Sequence, residues 1–266
     1  MSVFAGLLLL VPSALAAGCG GGEAAEADPG PVAQVRDAAL RTLGAGPAAL
    51  TLSVSSPTAE YSARGAIELA TDRFRVRARI GRAPITHFDR FMDVVGVGGE
   101  TYRARVDPAF AGTPRGCWFD PHAPVGGLGG AASVQEAMAL VGVTVRLLRD
   151  GIRTASLVRD DARGGRTYRV VVDPRRASLA PSALGSDEIH IVAPRRLAAH
   201  LTPMRARLDA RGLVRRLSFE LRRWRPAGRG PGLVRERRRE RVSVTIRLGD
   251  FGRRLAVRAP RCVAME

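Results

Sequence analysis

Residues 204–221, MRARLDARGLVRRLSFEL, and residues 242–252, VSVTIRLGDFG, carry runs with a period of two joined by turns. Leu208 ends a short run, and Asp209-Ala210-Arg211-Gly212 is a turn with Asp first and Gly last. Leu217, Phe219 and Leu221 then share one face, with Arg216, Ser218 and Glu220 on the other. Val242, Val244, Ile246 and Leu248 alternate with Ser243, Thr245 and Arg247. Between these runs, Arg222 to Arg241 reads as a long polar loop. Gly249-Asp250-Phe251-Gly252 turns the chain again, and Leu255 and Val257 resume the apolar face. The pattern is that of an antiparallel meander with one apolar and one polar side. Such a sheet must cover its apolar side with a helix, a second sheet or a ligand.

The same pattern runs through the first half. Phe74, Val76, Ala78 and Ile80 alternate with Arg73, Arg75, Arg77 and Arg79, the clearest strand in the chain, whose Arg face is expected in solvent. Leu50, Leu52 and Val54 mark another strand, and Tyr61 to Leu69 a weaker one that turns at Thr71-Asp72. Phe91 to Gly98 and Thr101 to Val106 read as a hairpin, as do Ile152 to Arg159 and Thr167 to Asp173. Val32, Val35, Ala39, Leu40 and Leu43 sit at helical spacing ahead of Gly44, which predicts an amphipathic helix over Val32 to Leu43. Ser133 and Glu136 form a capping box for a short helix through Val141. Pro174 to Pro203 has no clear period, although Leu197 to Leu201 suits a helix.

The chain of 266 residues is 45% hydrophobic, enough for a sizeable core, and shows no internal repeat. All 42 basic residues are Arg, and the net charge is +17. Residues 205–258 hold 18 Arg and five acids, a net of +13 that draws anionic partners. Catalytic signatures are missing from the sequence. His87, His122, His190 and His200 stand apart from each other and from Cys at any short metal-ligand spacing. No nucleophile elbow and no paired carboxylates are visible, so the chain reads as a binding protein without enzyme activity or cofactor. An aromatic content of 5% offers few stacking platforms for nucleic acid.

Location comes from the N-terminus. Val3 to Ala17 is almost wholly apolar, short for a membrane span and suited to a signal-peptide core. It ends in Leu15-Ala16-Ala17-Gly18-Cys19, which resembles a lipobox, the bacterial signal for diacylglyceryl transfer to a Cys thiol. On this reading residues 1–18 are a signal peptide and Cys19 is the acylated first residue. Residues 19–31, rich in Gly, Ala, Glu and Pro, form a flexible tether, and 32–266 one domain. The protein is then exported and lipid-anchored at the outer face of the cell membrane. Cys117 and Cys262 remain, and export allows them to form a disulfide.

The segments Ala206 to Leu217 and Val244 to Gly252 resemble the closing strands of actinobacterial envelope lipoproteins of the LppX/LprG type. Their fold is similar to that of LolA. The resemblance implies an α+β fold in which a curved antiparallel sheet, a half-barrel, is covered by a few helices. It also implies carriage of a lipid or glycolipid in an apolar cavity. The lining expected from the best strands is Leu52, Val54, Phe74, Val76, Ile80, Leu217, Phe219, Val244 and Ile246, which would equally serve as core against the helices. The alternative is a sensor or scaffold lipoprotein that binds a partner protein at the envelope.

Overall fold

The computed structural model describes residues 30–55, 60–81, 90–97, 100–105, 118–119, 130–173, 203–225, 238–259 and 263–264. The N-terminal apolar segment, the lipobox with Cys19, Cys117, Cys262, the four His and the segment 174–202 lie outside them.

Helix α1 spans Pro31–Gly44 and opens on Pro, whose missing N–H is one the first turn would leave unpaired anyway. Val35, Ala38, Ala39 and Thr42 are its buried stripe. Leu40, expected on that stripe, is 48% exposed. It lies one residue, about 100°, beyond Ala39. Strands β1 (Ala48–Ser55), β2 (Glu60–Glu68), β3 (Arg73–Gly81), β4 (Arg90–Val97) and β5 (Glu100–Arg105) follow as an antiparallel meander. The two-residue strand β6 (Trp118–Phe119) precedes helix α2 (Gly130–Asp150). A second meander runs through β7 (Ile152–Asp160), β8 (Arg166–Val172), β9 (Met204–Leu208), β10 (Val214–Arg225) and β11 (Arg238–Gly249), and β12 is Val263–Ala264.

The two meanders join where β1 pairs with β11, in the order β5-β4-β3-β2-β1-β11-β10-β9-β8-β7. These ten strands are antiparallel throughout. The short β6 and β12, parallel to each other, extend the β5 edge. Helix α2 leads from that side of the sheet to β7 at the other end. One cluster of buried side chains takes in both meanders and both helices.

The sheet bends. Arg146 Nη2 donates to Asp72 Oδ2 at 2.6 Å and to Leu69 O at 3.4 Å, so the body of α2 sits on the β2–β3 turn. Across a flat sheet that turn would lie six strand spacings, about 29 Å, from β7. Only six residues separate Arg146 from Ile152 at the start of β7, and mostly helical chain of that length reaches about 13 Å. A fully stretched arginine adds about 7 Å. The shortfall is met by curvature that brings the β7 end back toward β2 and β3, around the helices.

Three expectations are corrected. Helix α2 is 21 residues long, and Ser133 lies inside it, three residues past its start, so it does not cap it. The β-branched run Val143-Thr144-Val145 lowers helix propensity, but burial of all three overrides that cost. Thr144 Oγ1 is satisfied by donating to Leu140 O at 2.6 Å. Second, Arg222 to Arg241 is not all loop. The β10–β11 ladder continues through Arg222↔Arg241 to Arg225↔Arg238, because backbone pairing needs no apolar side chains. Third, residues 253–259 form no strand. Val257 is buried, but its carbonyl accepts from Arg73 Nη2 at 2.5 Å instead of joining a ladder.

Candidate functional site

Cross-strand register shows how the expected lining assembles. Leu52 faces Ile246, which faces Leu217; Val54 faces Val244, which faces Phe219. These six residues make two adjacent rows at the middle of the sheet, where the two meanders meet. On the other side, Val54 faces Tyr61, and Tyr61 faces Ile80. The side chain of Ile80 lies outside the described ones, but its backbone register extends the same row. Phe74 and Val76 lie on the same face, farther from the Ser55–Glu60 end of β1 and β2. Phe74, Val76, Leu52, Leu217, Phe219, Val244 and Ile246 are buried members of the core cluster, with Val54 partly buried against it. The nine positions therefore share one face of one sheet.

Two glycines fit the chain to this face. A Cβ on Gly65 would stand 2.1 Å from Arg75 O, so β2 and β3 approach too closely there for any side chain. A Cβ on Gly96 would stand 2.2 Å from Phe74 Cε1, so the Phe74 ring lies over the β4 backbone. That ring fills the surface a side chain at position 96 would occupy.

Tyr61 is the residue that sequence reasoning passed over. Its strand was legible, but the hydroxyl at an inward position between Val54 and Ile80 was the signal that mattered. The Tyr61 hydroxyl is buried and has no hydrogen-bond partner among the described residues. Burial pushes its phenol above the usual tyrosine range, so it stays a neutral donor. Leaving such a group unpaired costs about 1–3 kcal/mol. A carbonyl, ester or phosphate oxygen placed against it would recover that cost.

The other polar groups buried against this face are satisfied within the fold. The ladder with β9 shifts register between Val214 and Arg216, and the Val214 N–H donates outside the ladder. Thr42 Oγ1, fully buried, accepts from that N–H at 2.8 Å and donates to Ala38 O at 2.7 Å. The Tyr168 hydroxyl donates to Gln34 Oε1 of α1. Helix α1 is thus pinned to the β8–β10 side of the sheet by polar bonds.

Among the described residues, no three His, Cys, Asp or Glu side chains gather as a metal site. No described helix is long and apolar enough to cross a membrane. Compared with known proteins, the chain matches no family model, and no curated protein is significantly similar to it.

Proposed function

We propose that the chain is an envelope lipoprotein, anchored through Cys19 at the outer face of the cell membrane, whose sheet holds a lipid or glycolipid. In this reading the bent sheet with its two helices is a LolA-like half-barrel, and its cargo moves between membrane and cell wall. The observation that carries the proposal is the Tyr61 hydroxyl, buried and without a hydrogen-bond partner among the described residues, on a largely apolar face. Such a face suits acyl chains, and an unsatisfied polar group on it suits the head of the same molecule. The size of the face adds support. Among the described residues, two helices 14 and 21 residues long each cover a strip about 10 Å wide, much narrower than ten strands.

Tyr61→Phe tests the reading, because it removes the hydroxyl and keeps the ring. If the hydroxyl holds a ligand, the variant carries about fivefold less lipid at equal load, the worth of a hydrogen bond of about 1 kcal/mol. If it is only an orphan in a packed core, lipid content is unchanged and the melting temperature rises. Quantitative lipid extraction alongside thermal melting separates the two.

The scaffold reading has its own support at the opposite end of the sheet. Strand β7 is the last strand on that side, and Leu157 and Val158 on it are 48% and 53% exposed. Edge strands with exposed apolar side chains accept a partner strand.

A further inference from the structure

The outer face of the sheet, opposite the helices, carries an ordered pattern of cations. Following the register from strand to strand, Arg77 faces Arg64, Arg64 faces Thr51, and Thr51 faces Arg247. Arg247 faces Arg216, and Arg216 faces Arg207. Five guanidiniums thus lie in one row across β3, β2, β11, β10 and β9, all on exposed residues. One pleat away on the same face runs a row of hydroxyls: Ser62 faces Ser53, Ser53 faces Thr245, and Thr245 faces Ser218. That row ends in Arg79 on one side and Arg205 on the other.

Like charges directly opposite in a sheet destabilise it. Three such pairs stand here: Arg64 with Arg77, Arg216 with Arg247, and Arg207 with Arg216. The ends of the row are neutralised, Arg77 by Asp93 at 3.0 Å and Arg207 by Asp161 at 3.1 Å. Arg64, Arg216 and Arg247 pair with no acid among the described residues. The centre of the row is therefore a set of repelling donors that an anion would reconcile.

We propose that this outer face binds a linear phosphate polymer laid across the strands along the arginine row. Guanidiniums take phosphate oxygens bidentately, and the neighbouring hydroxyls can donate to the same groups. Adjacent strands set successive donors about 4.8 Å apart, a regular ladder suited to a repeating anion. The two central rows hold only Arg, Ser and Thr, with no aromatic ring on which a nucleobase could stack. They also hold no apolar side chain to enter a bilayer. Because the sheet bends around its helices, this face is convex. A planar membrane would meet it along a narrow strip, whereas a flexible chain can follow it. The site is on the opposite side of the sheet from Tyr61 and stands independently of the lipid reading.

Binding of inorganic polyphosphate to the full chain provides the test. The row variant Arg64→Gln/Arg216→Gln/Arg247→Gln is compared with Arg36→Gln/Arg163→Gln/Arg254→Gln, which removes the same charge elsewhere. All six positions are exposed, and unchanged melting of both variants confirms intact folds. The row variant should bind about tenfold more weakly or worse, with the slope of log affinity against log salt reduced by about 2, three lost phosphate contacts. The control should stay close to wild type in both. Equal weakening of both variants would reduce the effect to net charge and overturn the proposal. So would row-dependent binding to phosphatidylglycerol vesicles without binding to polyphosphate, which would make the face a membrane contact.

Discussion

Asp209 holds together the turn on which helix α1 docks. Its Oδ1 accepts from the N–H of Arg211 at 3.0 Å and of Leu213 at 2.9 Å, and its Oδ2 accepts from Arg215 Nε at 2.7 Å. The Arg215 guanidinium also lies 5.1 Å from the centre of the Phe251 ring, linking this turn to the one after β11. Gly212 adopts φ 67, and a Cβ there would meet Arg41 Nη2 of α1 at 2.5 Å. Partial burial alone would raise the Asp209 pKa, but the Leu213 N–H and the Arg215 guanidinium outweigh it and hold the carboxyl below its usual 3.8. The carboxyl is thus more acidic folded than unfolded. Its stabilisation is complete above the unfolded-state value and is lost as pH falls through the folded one. Asp209→Asn should lower the melting temperature at neutral pH and bring the variant closer to wild type in strong acid. Melting curves across the acid range check this, and a constant gap between the two proteins at every pH would contradict it.

At the scale of elements, the strands were the legible part of the sequence. Alternation in Arg73–Ile80, Leu50–Val54 and Val242–Leu248 marks strands because each has one wet face and one dry face. Helix α2 reads short in the sequence because Val141 to Leu148 is mostly apolar with the β-branched run Val143-Thr144-Val145, and a helix buried on most sides loses its amphipathic period. Arg222 to Arg225 and Arg238 to Arg241 read as loop in the sequence because charge reports exposure and not backbone pairing. The strand order was not legible: the contact of β1 with β11 spans most of the chain, and no local pattern encodes it. Nor was the Tyr61 environment, which depends on neighbours from the two flanking strands, β1 and β3. One pairing bears on the cysteines. Strands β6 and β12 run parallel with Trp118 opposite Val263, the residues that directly follow Cys117 and Cys262. We expect Cys117 and Cys262 to be joined, closing a loop worth roughly 4 to 5 kcal/mol by chain entropy. Thiol labelling of denatured, unreduced protein should then find neither Cys reactive, and labelling of both would contradict the bridge.

For the whole molecule, anchoring and cargo are separate claims with separate tests. Anchoring rests on Cys19 following Ala17-Gly18 at the end of an apolar segment. Cys19→Ser should leave the protein unprocessed or move it out of the membrane fraction, and a variant that migrates and fractionates like wild type would contradict the anchor. Cargo rests on the bent antiparallel sheet, its continuous apolar face and the buried Tyr61 hydroxyl. The most direct measurement is mass spectrometry of an organic extract from residues 32–266, purified from cells without the lipid anchor. Lipid or glycolipid at near one molecule per chain, reduced in Tyr61→Phe, is the predicted result. An extract without lipid, from a domain that melts cooperatively and is stabilised by Tyr61→Phe, would contradict it.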